Sequence, residues 1–243
     1  MSARFIVLHP RKLVYAELPK CASTTMHRVF LEVSGIRTDL EPHYPIWRER
    51  FADARREAGL ESLEVPDGSL AEFVRSHRGY RFFSVVRDPY SRCLSGYRQQ
   101  VRRYAKRFHR IAYARAKLRK LLSPRLPGDV ANPHRVVTET LHRTISLEQF
   151  VAGLGRHGTS FDKHFDLQSN VIRFGQVPYD VLVRMEDLAA GLRGIFTEEG
   201  DLATIPFINV TGAGAAVAQL APDTKRAIHA LYAKDFMNLG YPA

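Results

Sequence analysis

The stretch from Leu13 to Met26 reads LVYAELPKCASTTM, and its two halves ask for different backbones. Leu13 to Leu18 is an apolar, β-prone run stopped by Pro19. Beyond the loop Pro19 to Thr25, the apolar residues Met26, Val29, Phe30 and Val33 recur at helical spacing, and Gly35 stands where a helix would end. This is a strand, a loop and a helix in sequence. Upstream, residues 4–8 form a second short strand, with His9-Pro10-Arg11-Lys12 as the turn between the two. Downstream the same grammar repeats: the strand Arg81 to Val86 runs into Arg87-Asp88-Pro89, and proline suits the first turn of a helix.

Residues 40–79 are expected to be mostly helical, with Trp47, Phe51 and Leu60 as anchors and Gly68-Ser69 opening a short helix through Val74. A basic helix is expected from Pro89 to about Leu122, then a proline- and glycine-rich loop from Ser123 to Pro133. Ser146 reads as the N-cap of a helix carrying Leu147, Phe150, Val151 and Leu154. Val171 to Phe174 and Tyr179 to Val183 read as strands, and helices are expected from about Glu186 to Glu198 and from Pro222 to Met237. Strands alternating with helices indicate an α/β chain with a P-loop-like central parallel sheet flanked by helices. The expected organisation is one domain over residues 1–243, with the basic segment and loop at about 98–134 as a helical insertion.

The net charge of +11 invites a nucleic-acid reading, but the excess is local. Between Asp88 and Asp129 stand 12 basic residues and no acidic one, while the other 24 basic residues meet 25 acidic ones. Tyr104, Phe108 and Tyr113 interleave this segment, so a wall for an anionic glycan, a nonspecific nucleic-acid surface and a solvated helix face all fit it. The apolar run Phe5 to Leu8 is too short for a signal peptide, and no window is long and apolar enough to span a membrane. A cytoplasmic location is the expectation, with room for peripheral membrane contact. Cys21 and Cys93 neither build a disulfide framework nor show metal-ligand spacing, and no metal is expected.

Loop 19–25 offers what a phosphate needs: main-chain amides at a helix N-terminus, the hydroxyls of Ser23, Thr24 and Thr25, and the charge of Lys20. It is not a Walker A loop, because the glycines of G-x-x-x-x-G-K are missing. Taken alone, it would equally be a capped turn. The second junction, VVRDPYSRCLSGY from Val85 to Tyr97, places Arg87 at a strand end and Ser95 about two helical turns on. Arginine with a hydroxyl suits a terminal phosphate monoester. Two such sites suggest a ligand carrying phosphate at both ends.

These stretches resemble the sulfotransferases that use 3'-phosphoadenosine 5'-phosphosulfate (PAPS). PKCASTT from Pro19 resembles their 5'-phosphosulfate loop, and VVRDPYSRCLSGY their 3'-phosphate motif. Phe161-Asp162-Lys163-His164-Phe165 with Gln168, YDVLVRMEDL from Tyr179, and YAKDFMNLGY from Tyr232 match in the family's order, closest to the carbohydrate branch with the chondroitin and HNK-1 enzymes. Ala22 stands where the family often has glycine, and residues 98–140 do not align.

The resemblance implies in-line transfer of a sulfuryl group from PAPS to a hydroxyl of a carbohydrate or glycoconjugate, a glycolipid head group included, leaving 3'-phosphoadenosine 5'-phosphate (PAP). Lys20 would stabilise the leaving phosphate, with Cys21, Ala22, Ser23, Thr24 and Thr25 beside it and Arg87 and Ser95 on the 3'-phosphate. His164, flanked by Asp162, is the chosen general base, with His43, His77 and Glu32 as competitors. Asp88 and Arg92 are expected to cap and staple the junction, Glu186 and Asp187 to cap a helix, and Arg184 to reach the ligand or pair with them. Asn209 to Gly214 reads as a glycine loop, either a cover for the nucleotide or plain surface. Two other functions remain open: a magnesium-dependent kinase of similar fold, and a non-catalytic nucleic-acid-binding protein led by the basic segment.

Overall fold

The run His9-Pro10-Arg11-Lys12 does close a hairpin. In the computed structural model, which describes residues 2–36, 52–99, 146–196 and 213–242, β1 (Ser2–Leu8) and β2 (Leu13–Ala16) pair antiparallel with Leu8 opposite Leu13. A 3-10 turn at His9–Arg11 joins them. β3 (Leu60–Pro66) runs antiparallel along the other edge of β1, while β4 (Arg81–Val86) and β5 (Val181–Arg184) continue the sheet parallel to β2. The strand order is β3-β1-β2-β4-β5, a mixed sheet of five strands flanked by helices. The expected α/β class holds. β2, β4 and β5 are parallel neighbours, and β1 alone runs against the other four: its tight turn into β2 can only join antiparallel strands, while β3, antiparallel to β1, points the same way as β2.

The described residues fall into two compact units, one within Met1–Asp88, Leu167–Thr211 and Lys234–Ala243, the other within Pro89–Asp166 and Gly212–Ala233. The first holds the whole sheet. Its core is aromatic: α1 (Ser23–Val33) buries Met26, Val29 and Phe30, and Phe30 lies against Tyr15 of β2 and Phe83 of β4. Each such side chain contributes about 1.5–3 kcal/mol of burial. Gly35 takes φ 75° as α1 ends, and Ile36 N–H returns to the Leu31 carbonyl. α2 (Ala52–Glu57) and α3 (Leu70–Ser76) flank β3.

Here the sequence reading needs correction, because β3 lies within the stretch expected to be helical. Leu60 and Leu63 are three apart and mimic a helix, but cross-strand pairing wins, with Arg4 reaching Glu64 at 2.6 Å. A second correction concerns Val171 to Phe174. Residues Gln168–Val171 form a short helix, α6, followed by a turn in which Arg173 takes φ 55°. A distant carboxylate decides this: Asp235 accepts the N–H groups of Gln168 and Ser169 and so caps α6. The helix expected at 186–198 is a 3-10 turn at Met185–Asp187 leading into α7 (Leu188–Arg193).

The second unit is helical among the described residues. α4 (Pro89–Gly96) and α5 (Leu147–His157) precede the segment 158–166, and α8 (Ala213–Ala218) and α9 (Pro222–Leu231) return to it. Ser146 caps α5 as expected, in a full capping box with Gln149. The last expected helix is two, since α9 stops before Tyr232 and α10 (Ala233–Asn238) begins anew. The expected basic helix is described only through α4. Residues 100–145, Trp47, Phe51, His43 and Asn209 to Gly212 lie outside the described residues.

Candidate active site

Two loops leave the carboxyl ends of the adjacent parallel strands β2 and β4, where open α/β sheets collect ligands. After β2, Glu17 N–H makes a last bond to the Arg4 carbonyl, and buried Leu18 leads to Pro19. Lys20 at φ 71° and Ala22 at φ 56° then take left-handed backbone conformations, at a cost of order 1 kcal/mol each. Left-handed residues at such positions are a device by which a loop can present main-chain amides to an anion, while the Cys21 N–H between them is bonded to the Leu18 carbonyl at 3.3 Å. Ala22 is the N-cap of α1 and makes no side-chain capping bond. Ser23, Thr24 and Thr25 form the first turn, which carries no acidic residue. Behind the loop, Glu17 Oε1 lies 3.3 Å from His27 Nε2, so the strand end and α1 are also joined from below.

The second loop presents Arg87, which is 6% exposed. Its Nη1 donates to the Lys20 carbonyl at 3.2 Å, so the two sequence-derived cationic positions meet. The Arg87 main chain is held by Gln168, a fully buried side chain. Gln168 Oε1 accepts the Arg87 N–H at 2.9 Å and Nε2 donates to the Arg87 carbonyl at 2.7 Å, as a further strand would. The same Oε1 accepts the Cys21 thiol at 3.4 Å. One amide thereby touches both loops. Gln168 is itself fixed by Asp235, which takes the Gln168 N–H at 2.7 Å and both N–H and hydroxyl of Ser169.

Glu186 caps no helix. It accepts the Asp88 N–H at 2.9 Å and the Tyr241 hydroxyl at 2.9 Å. Asp187, at the N-cap of α7, makes no side-chain capping bond. Burial, with the Glu186 carboxylate adding to it, holds the Tyr241 phenol well above its usual range. Arg184 donates to the Gly240 carbonyl and lies over the Tyr241 ring, 4.8 Å from its centre. These contacts tie Arg184 to Gly240 and Tyr241. Phe236 and Tyr241 are buried anchors, as expected.

Ser95 and His164 belong to the second unit. Ser95 is buried in α4. On the same helix Arg92, 2% exposed, donates to the Asp166 carbonyl at 2.6 Å and the Lys163 carbonyl at 2.8 Å, so it staples α4 to the segment 163–166. Next to Ser95, Gly96 admits Phe165: a Cβ there would stand 2.9 Å from that ring. The segment carrying His164 is thus sewn to α4. His164 Nδ1 lies 2.7 Å from Asp162 Oδ1, which also accepts the His164 N–H at 2.8 Å. A proton on Nδ1 satisfies that carboxylate and leaves the lone pair on Nε2, the tautomer a general base requires. The competitors have local work: His77 bonds the Phe73 carbonyl, and Glu32 pairs with Arg28 at 2.8 Å.

Gln168 and Asp235 escaped the sequence-derived site, although both lie in stretches that matched. Both are polar side chains at fully buried positions, Asp235 lying one residue before the buried Phe236 in the last helix. Burial pushes the Cys93 thiol up to about 12, an inert structural thiol. Among the described residues no group of three or more His, Cys, Asp or Glu is arranged to hold a metal ion, and no helix is long and apolar enough to cross a membrane.

What the first unit offers is a loop with lysine and hydroxyls at the start of α1 beside a buried guanidinium, chemistry suited to a polyanionic ligand. The second offers an oriented imidazole. No curated protein and no solved structure matches the chain. A model of the sulfotransferase family matches residues 3–242, and the chain therefore belongs to the sulfotransferase family.

Proposed function

We propose that this sulfotransferase takes its sulfuryl group from PAPS and places it on a hydroxyl of a carbohydrate or glycoconjugate. The observation that carries this reading is the meeting of the two loops, with Arg87 Nη1 donating to the Lys20 carbonyl at 3.2 Å. A ligand phosphorylated at both ends fits that donor set: loop 20–25 suits one phosphate and the Arg87 guanidinium the other, with Ser95 assigned to the same 3' end. The donor supplies an activated sulfuryl group with a phosphate as leaving group.

The remaining tasks fall to this chain. Lys20 and the amides at the start of α1 neutralise charge on the departing phosphate, worth a few kcal/mol in a site that excludes water. His164 Nε2 takes the proton of the acceptor hydroxyl as its oxygen bonds to sulfur and the bond from sulfur to the phosphate oxygen breaks. Asp162 steadies the imidazolium that results. The carbohydrate class rests on the matching stretches around His164 and on the anion-seeking basic segment.

Thermal unfolding with PAP in EDTA, beside ATP with magnesium, tests the donor. A ligand at 100 times its Kd adds about 2.7 kcal/mol, and at this chain length each kcal/mol is worth ~2–4 °C. PAP is expected to raise the midpoint and to lose that effect in Arg87→Ala. Stabilisation by ATP with magnesium alone would install the kinase reading in its place.

A further inference from the structure

We propose that Gln168 is a positioning residue that couples the two phosphate subsites, so that a ligand with phosphate at both ends binds better than its halves predict. This rests on the PAPS reading. Gln168 is fully buried, and its amide spends all its described bonds on the two loops: Arg87 N–H and carbonyl on one side, the Cys21 thiol on the other. The residue has no access to solvent, so it acts through the residues it holds.

The geometry explains how. Arg87 follows β4 directly, at a point where the ladder to β5 ends, since Val86 pairs with Arg184 and no later pair follows. Gln168 supplies the missing strand, fixing Arg87's main chain and hence the root of its guanidinium. Through Cys21 it ties that root to the centre of the Lys20 loop, one residue from Lys20 and one from Ala22. Asp235 in turn fixes Gln168 through two N–H groups and the Ser169 hydroxyl. With the spacing of the loops set beforehand, a doubly phosphorylated ligand engages its second subsite without a further ordering cost. A singly phosphorylated ligand needs only one loop and gains nothing from the spacing.

Titration calorimetry with PAP, adenosine 5'-phosphate and adenosine 3'-phosphate separates these cases in the whole chain. In Gln168→Leu, PAP is expected to weaken by roughly tenfold or more, and each monophosphate by less than about threefold. Thermal unfolding reports whether the variant is folded. Asp235→Asn, which keeps the shape but disturbs the carboxylate that holds Gln168, serves beside it and is expected to show the same split. Equal losses for all three ligands would reduce Gln168 to a structural residue and overturn the proposal, as would unchanged PAP affinity. If the wild-type chain binds no PAP, the PAPS reading falls and the coupling with it, a result distinct from equal losses in a protein that does bind.

Discussion

Arg92 carries one of the heavier single-residue loads in the described structure. Its guanidinium is buried and donates to two carbonyls, of Asp166 at 2.6 Å and Lys163 at 2.8 Å, on either side of Phe165. Arg92→Met keeps most of the stem volume and removes both bonds. A hydrogen bond from a charged donor contributes about 1.5–3 kcal/mol, and an abandoned buried carbonyl costs about 1–3 kcal/mol. Because these figures describe partly the same loss, they are not summed. Relief from burying a charge offsets part of it. The expected destabilisation is about 3 kcal/mol, read by urea unfolding, or a fall of ~6–12 °C in midpoint. Because the staple holds the segment with His164, turnover should fall further than stability alone explains, measured well below the midpoint where the variant is folded. PAP affinity should fall less than turnover, since Lys20 and Arg87 sit in the other unit and only Ser95 of the assigned donor residues shares α4 with Arg92. A loss below 1 kcal/mol, or PAP affinity falling as steeply as turnover, would refute the stapling argument.

Two other outcomes follow from the local physics. Ala22 sits at φ 56°, which a β-branched side chain tolerates poorly, so Ala22→Val should cost about 1–2 kcal/mol. Ala22→Gly should stay within about 0.5 kcal/mol of wild type, because strain relief and the added freedom of the unfolded chain oppose each other; urea midpoints of the two variants check both. Burial pushes the Cys93 thiol up to about 12 in the folded chain, from an ordinary value of 9.0. The stability it contributes is present below pH 9 and lost as pH climbs toward 12. Between pH 9 and 10 wild type should lose about 1 kcal/mol relative to Cys93→Ala, whose profile lacks this step.

The parts of the fold written in local chemistry were legible. The hairpin turn at His9–Arg11, the two strand-loop-helix junctions, the Ser146 capping box and the start of α9 at Pro222 all depend on residues within a few positions of each other. What escaped depends on partners far along the chain. β3 exists because β1 offers it an edge, and α6 exists because Asp235 caps it from 67 residues away. The site divides in the same manner. As candidates, Lys20 and Arg87 stand out through their motifs, and His164 through its neighbour Asp162. Gln168 stands out in sequence only as part of a matching stretch, and its role against the main chain of Arg87 depends on a contact 81 residues away.

Sulfuryl transfer with Lys20 and His164 at the reaction is open to direct assay. Its most direct test is the release of PAP from PAPS in the presence and absence of carbohydrate acceptors, in wild type, Lys20→Met and His164→Ala. Acceptor-dependent release is expected in wild type, with a fall of ~10²–10⁴ in rate for His164→Ala and PAP affinity preserved. Lys20→Met should lose rate by a comparable factor. Release at the wild-type rate in either variant would contradict the assignment, and the absence of release with every acceptor, alongside phosphoryl transfer from ATP, would contradict the reaction itself.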